Sequence, residues 1–154
     1  MTELDVTPGG DAFMSTFTPR LDDKGRLFLP AKWRETLGER VVLTKGADRC
    51  VTGYSAAGFN AHVSARLRRA PTSSRAVRDL RRALMGAAEP NKPDGQGRIT
   101  IPLRLRQYAG LDKDCVVVGA GDYFEIWEAG AYDDIERAGN DTLNRLDGDE
   151  GVAF

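Results

Sequence analysis

The stretch DDKGRLFLP (22–30) returns 72 positions later as DGQGRITIP (94–102). Both copies hold Asp-x-x-Gly-Arg, then an apolar-any-apolar triplet, then Pro. The matched residues are Asp22, Gly25, Arg26, Leu27, Leu29 and Pro30 against Asp94, Gly97, Arg98, Ile99, Ile101 and Pro102. A fixed-offset repeat of this kind means two copies of one structural unit. The segments downstream of the two copies match too: AKWRETLG (31–38) against LRLRQYAG (103–110), VVLTKG (41–46) against CVVVGA (115–120), then a Gly/Asp turn and CVTGY (50–54) against YFEIWE (123–128). The offset drifts from 72 to about 75, with Val41 set against Val116, because the second copy holds three extra residues within 111–115.

The local chemistry of the motif is legible. Asp accepts backbone N–H bonds two or three residues on, and Gly takes a positive φ without steric cost, so each motif opens with a tight turn. In the triplet Ile99-Thr100-Ile101 the isoleucines face one way, leaving Arg98 and Thr100 on the other face. Leu27, Phe28 and Leu29 repeat the pattern, with Phe28 on the face of Arg26. Pro30 and Pro102 end the strand and open a short helix, capped at its far end by Gly38 and Gly110. Trp33 and Leu37, four apart, give the first helix one apolar side. Each unit therefore reads as strand, short helix, strand, turn, strand. The Gly53 inside CVTGYS reads as a bulge.

Between the units, Phe59, Val63 and Leu67 recur every four residues, so 56–69 reads as a helix ended by Pro71. Ser73 or Ser74 caps a second helix, whose apolar stripe is Val77, Leu80 and Leu84. A final helix is expected within AYDDIERAGNDTLNRL (131–146), and GDEGVAF (148–154) reads as a disordered acidic tail. The first twelve residues lack the basic-then-apolar pattern of a secretory signal and read as a disordered extension.

A chain of 154 residues with 41% hydrophobic content suits a globular protein. Each repeat spans only about 45 residues, near the limit for an independent core, so the copies should fold against each other or against further chains. No apolar run reaches membrane-spanning length. Cys50 and Cys115 sit among strand residues as small hydrophobes in a reducing cytoplasm. Together with the single His62 they lack ligand-like spacing, so no metal site is expected. Net charge is −1 but unevenly spread: from 112 onward there are 12 acidic and 3 basic residues, against 11 and 19 before. Seven arginines fall within 66–82. Such segregation suits a polyanionic partner, or a solvated helix face with an acidic tail elsewhere.

Residues 13–138 resemble the MraZ family, regulators built from two AbrB-like modules. The resemblance is carried by TFTPRLDDKGRLFLPAKWRE (16–35), RRALMGAAE (81–89), DGQGRITIPLRLRQYAGL (94–111) and YFEIW (123–127). It implies an α+β fold of two tandem swapped-hairpin β-barrel modules forming an intrachain pseudo-dimer, with flanking helices. The expected layout is an extension over 1–12, a first module over 13–60, a basic helical connector over 61–90, a second module over 91–138, and a helix end with its tail over 139–154. The resemblance also implies a cytoplasmic, nucleoid-associated repressor of the division and cell-wall gene cluster. Such a protein binds short direct repeats of double-stranded DNA in its own promoter and forms a ring-like homo-oligomer. Lys92-Pro93 ahead of Asp94 departs from the family's usual acidic or apolar lead-in.

Four residues are expected to meet DNA: Lys24, Arg26, Gln96 and Arg98. A guanidinium holds a phosphate bidentately or pairs with O6 and N7 of guanine, and a stiff turn beneath it lowers the entropy lost on binding. The other role open to Arg26 and Arg98 is an ion pair to the motif Asp, and both roles are compatible. Asp22, Gly25, Pro30, Asp94, Gly97 and Pro102 are read as the structural frame of the turns. No nucleophile, His or third carboxylate recurs with the two Asp, so neither catalysis nor a cofactor is expected. The competing reading is a non-catalytic protein-interaction module on the same fold. DNA binding requires Lys24, Arg26 and Arg98 on one exposed face, free of local carboxylates. An RNA role is disfavoured, because Phe28 is the sole aromatic available for base stacking.

Overall fold

The computed structural model describes residues 13–146, so the expected disorder of 1–12 and of the acidic tail falls outside it. The strands are β1 (Thr16–Phe17), β2 (Arg26–Phe28), β3 (Val41–Gly46), β4 (Cys50–Ser55), β5 (Glu89–Asn91), β6 (Arg98–Thr100), β7 (Cys115–Gly119) and β8 (Phe124–Glu128). The helices are α1 (Ala31–Leu37), α2 (Ala56–Phe59), α3 (Ala65–Arg69), α4 (Arg75–Met85), α5 (Leu103–Ala109) and α6 (Ala129–Asn144). A π-helical turn, Asn60–Ser64, joins α2 to α3. The fold is α+β, with antiparallel strand pairing throughout.

The two repeats interleave. One sheet has the order β1-β7-β8-β4-β3-β5, and β2 and β6 form a ribbon of their own. Apart from the two hairpins β3–β4 and β7–β8, each pairing joins one repeat to the other: β1 with β7, β5 with β3, β4 with β8, and β2 with β6. Three-residue strands such as β2 and β6 are too short to hold alone, so each copy completes the other. Pro90, which cannot donate to a ladder, sits in the edge strand β5.

The main core lies between this sheet and the ribbon with its helices. Leu27, Leu29, Ile99 and Ile101 point into it beside Trp33, Leu37 and Leu105. Phe13, Trp33 and Phe124 meet there with ring centroids 5.2–5.4 Å apart, geometry that adds to simple area burial. The opposite sheet face carries two smaller clusters. Tyr54 packs with Phe59, Val63 and Leu67 from the 56–69 helix, and Cys50, Val116 and Trp127 pack beneath Tyr132 and Ile135 of α6. Burial drives the Cys50 thiol far above its ordinary pKa and raises Cys115 to about 11, so both stay protonated.

Helix ends follow the local sequence. Ser55 Oγ accepts from Gly58 N at 2.9 Å, and Ser74 Oγ accepts from Val77 N at 3.3 Å, making Ser74 the cap of α4. Gly38 and Gly110 take φ of 70° and 62° after α1 and α5.

Two expectations need correction. Gly53 is no bulge: β4 pairs residue for residue with β3 and β8 through it, and the strand is buried end to end. Its missing side chain makes room for Phe124, whose ring a Cβ there would overlap. The α4 stripe is also less buried than its pattern suggests. Leu80 is 51% exposed, and α4 contributes no fully buried side chain. Two of the arginines are tied to the backbone: Arg78 donates to Thr72 O and Ser73 O, and Arg81 donates to Leu67 O.

Candidate nucleic-acid interface

The two motif turns are built alike, atom for atom. Asp22 N donates to Arg26 O at 2.9 Å and Gly25 N to Asp22 O at 3.0 Å; the Asp94–Arg98 and Gly97–Asp94 counterparts are both 2.9 Å. Asp22 Oδ1 accepts from the backbone N–H of Lys24 and of Arg26 at 2.9 Å each. Asp94 Oδ1 accepts from those of Gln96 at 2.9 Å and Arg98 at 3.0 Å. These backbone donors, led by that of the motif arginine, favour the charged carboxylate. They lower the pKa of Asp22 and bring that of Asp94 to about 2. Gly25 and Gly97 sit at φ 79° and 82°, a region that side chains with a Cβ rarely enter.

The second carboxylate oxygen takes the arginine. Arg26 Nε lies 2.8 Å from Asp22 Oδ2, and Arg98 Nε lies 2.7 Å from Asp94 Oδ2. The condition that these arginines be free of local carboxylates is therefore not met. Neither is buried, however, with 29% and 22% of the side chain exposed. The pairing uses Nε, and no other hydrogen bond joins either guanidinium to a described residue. The two terminal amino groups stay available as a planar, two-pronged donor.

Strand register sets both arginines on one face. Arg26 stands opposite Thr100, Leu27 opposite Ile99, and Phe28 opposite Arg98. Leu27 and Ile99 are buried, so Arg26, Phe28, Arg98 and Thr100 share the outer face of the ribbon. Phe28 is 51% exposed, and the Arg98 guanidinium sits 5.9 Å from its ring centroid. Lys24 and Gln96 are exposed at the tips of the two turns. Pro30 and Pro102 occupy the N-caps of α1 and α5.

Two cations beside these turns were not anticipated. A Cβ at Gly97 would overlap the Arg34 guanidinium, and one at Gly25 would come within 2.8 Å of that of Arg106. Each turn thus lies under an arginine from the other copy's helix. Arg106 Nε is itself fixed by donating to Ile101 O at 2.8 Å. The signal was present in the sequence, because Arg34 and Arg106 are also 72 apart, the offset of the motif itself.

Among the described residues, no group of three or more His, Cys, Asp and Glu is placed to hold a metal ion. No helix of the described residues is long and apolar enough to cross a membrane. The ribbon presents a rigid, cation-lined ridge, two strands wide. A two-stranded β-ribbon is one of the elements that fit the major groove of B-form DNA.

The sequence profile of the family described as "MraZ protein, putative antitoxin-like" matches twice, over residues 12–82 and 83–146. Proteins named "Transcriptional regulator MraZ" are similar along most of the chain. That of Micrococcus luteus is 51% identical over 120 residues, covering 78% of this chain and 83% of its own. That of Kocuria rhizophila is 52% identical with the same coverage, and that of Thermobifida fusca is 48% identical over 124 residues, covering 80% and 86%.

Proposed function

Because the chain belongs to the MraZ family, we propose that it is a DNA-binding transcriptional regulator, with the β2–β6 ribbon as its reading surface. The observation that carries this reading is the pair Arg26 and Arg98, set on one face with Nε anchored and the outer donors open. In this reading Lys24, Arg26, Gln96 and Arg98 meet the duplex, and Asp22, Gly25, Pro30, Asp94, Gly97 and Pro102 hold them in position. The protein is not an enzyme and needs no cofactor.

The ion pairs divide the labour. An Asp–Arg pair is neutral as a unit, so it adds little to counterion release, while its forked edge still pairs with guanine O6 and N7. Arg26 and Arg98 therefore serve base recognition. Phosphate anchoring falls to Lys24, Arg34 and Arg106, none of which is ion-paired to a carboxylate of the described residues.

The finer proposals rest on the family. The protein represses the division and cell-wall cluster and binds direct repeats in its own promoter. It works in the cytoplasm on the nucleoid, as a ring-like homo-oligomer of swapped-hairpin barrel pseudo-dimers with modules over 13–60 and 91–138. Self-association is supported by the exposed Met85 of the basic α4 and by the acidic α6, which carries an exposed Leu143.

The test is a gel-shift titration of DNA from upstream of the protein's own gene against a scrambled duplex. Arg26→Ala and Arg98→Ala are each expected to weaken binding by ~1–3 kcal/mol per contact and to erase most of the preference over scrambled DNA. Lys24→Ala and Arg34→Ala should weaken both duplexes alike, each lowering the slope of log affinity against log salt by about one. Wild-type affinity in both motif-arginine variants would exclude this surface and favour a protein-interaction module.

A further inference from the structure

The face of the sheet turned away from the main core is covered by the 56–69 helix with α4 on one side and by α6 on the other. Between them Thr44 stands opposite Thr52 and Thr52 opposite Glu125; both threonines are buried, and Glu125 is half-exposed. Thr44 is satisfied, donating to Leu84 O at 2.6 Å. The Glu125 carboxylate is not: its single hydrogen bond among the described residues is from Trp127 Nε1, 2.9 Å from Oε1. None of the described cations pairs with it, and burial raises its pKa. A half-buried carboxylate in the middle of an apolar sheet face costs stability and does nothing for packing.

Above this floor opens a cleft of about 550 Å³, within the size range of small-molecule sites. Its walls include the rings of Tyr54 and Tyr123, with centroids 5.6 Å apart, and the half-exposed Leu80 of α4. Arg66 stands at the rim, exposed and in no ion pair among the described residues, and Lys45 leans over the Tyr108 ring at 5.3 Å. One half-buried anionic group therefore lies on the sheet, Arg66 is exposed at the rim with Lys45 beside Tyr108, and the surface between is aromatic and apolar.

We propose that this cleft binds a small zwitterion of the α-amino-acid type with an apolar body. Its ammonium group sits against Glu125 and the tyrosine faces, its carboxylate meets Arg66, and its apolar part lies along Leu80. A purely cationic ligand leaves the rim bases unpaired, and a purely anionic one brings a second negative charge beside Glu125. The charge order of the cleft selects the molecule carrying both. The site does not depend on the DNA reading.

Three probes of matched shape separate these contacts: L-phenylalanine, phenethylamine (no carboxylate) and 3-phenylpropionate (no ammonium). Binding is followed on the full chain by amide shifts of Thr52, Tyr123 and Glu125 in nitrogen–proton spectra and by calorimetry. L-Phenylalanine should shift these amides saturably, and phenethylamine more weakly. Glu125→Gln keeps the acceptor for Trp127 and so the fold. It should weaken both amines by about tenfold, the scale of one lost charge-assisted bond, without weakening 3-phenylpropionate. Arg66→Ala, at an exposed position, should weaken L-phenylalanine and leave phenethylamine unchanged. The proposal is overturned if L-phenylalanine gives no saturable shift up to about 10 mM, where even a weak site fills. It is equally overturned if Glu125→Gln binds as wild type does, or if the same amides shift on dilution of the protein alone, which marks a second copy in the cleft.

Discussion

At Arg26 and Arg98 the guanidinium is tethered by Nε to a carboxylate that is itself fixed by two backbone N–H groups. Lysine, with a single point of charge, cannot both hold that carboxylate and present a planar fork. Arg98→Lys is therefore expected to lose ~1–3 kcal/mol of operator binding with a nearly unchanged melting temperature, read by gel shift beside thermal denaturation. The same geometry sets an acid response. The pKa of Asp94 falls from its ordinary 3.8 to about 2 on folding, so its stabilisation is present above 3.8 and is lost as pH drops toward 2. Asp94→Asn should flatten the fall of stability across that interval, measured by urea unfolding at several pH values; an unchanged acid limb counts against the tether. Gly97→Ala should cost about 1–3 kcal/mol in the same assay, since φ of 82° is strained for alanine and Arg34 lies in the way. The Asp/Gly turn was legible because its chemistry is local. The arginines laid across it were legible only as a pair at the motif's offset; that each crosses to the other copy's turn was not, because no local pattern reports it.

Elements that carry their own signals matched their sequence closely. The β-branched runs became β3 and β7, the apolar segments after each turn became β4 and β8, Pro and Gly bounded α1 and α5, and Ser74 capped α4. Removing that cap as Ser74→Ala should cost about 1 kcal/mol in chemical denaturation, and less than a few tenths would mean that α4 is held by Arg81 and Leu84 instead. Elsewhere the pattern misled. Glycine in a strand has two meanings, a bulge or a close approach, and only the position of Phe124 across the sheet decides for Gly53. A Gly53→Ala change should destabilise by about 1–3 kcal/mol through overpacking, in contrast to the mild effect expected at a bulge. Periodicity in α4 located its apolar side but not how much of it the chain covers, since burial depends on what packs opposite. The π turn within 56–69 had no signal at all, because Phe59, Val63 and Leu67 are buried with it as they would be in a regular helix.

For the molecule as a whole, duplication was plain in the sequence while interleaving was not, because pairing between copies leaves no trace in the order of residues. It has a measurable result. With β1, β5, β4 and β2 each paired across the halves, each of the four strands in a fragment of residues 13–88 loses a partner. It should be unfolded alone and recover native circular dichroism when mixed with 89–146, whereas the full chain unfolds in one cooperative step. A fragment that folds alone would show that the halves are separable. The covalent fusion of two like turns has a further effect. In a dimer of identical chains both reading loops must carry the same side chains, so the favoured target is a palindrome. Here Lys24 occupies one tip and Gln96 the other, and the ribbon has a head and a tail. If the ribbon reads DNA as proposed, a surface with that polarity would distinguish the two directions along a duplex, and a row of such proteins on repeated sites would all point the same way.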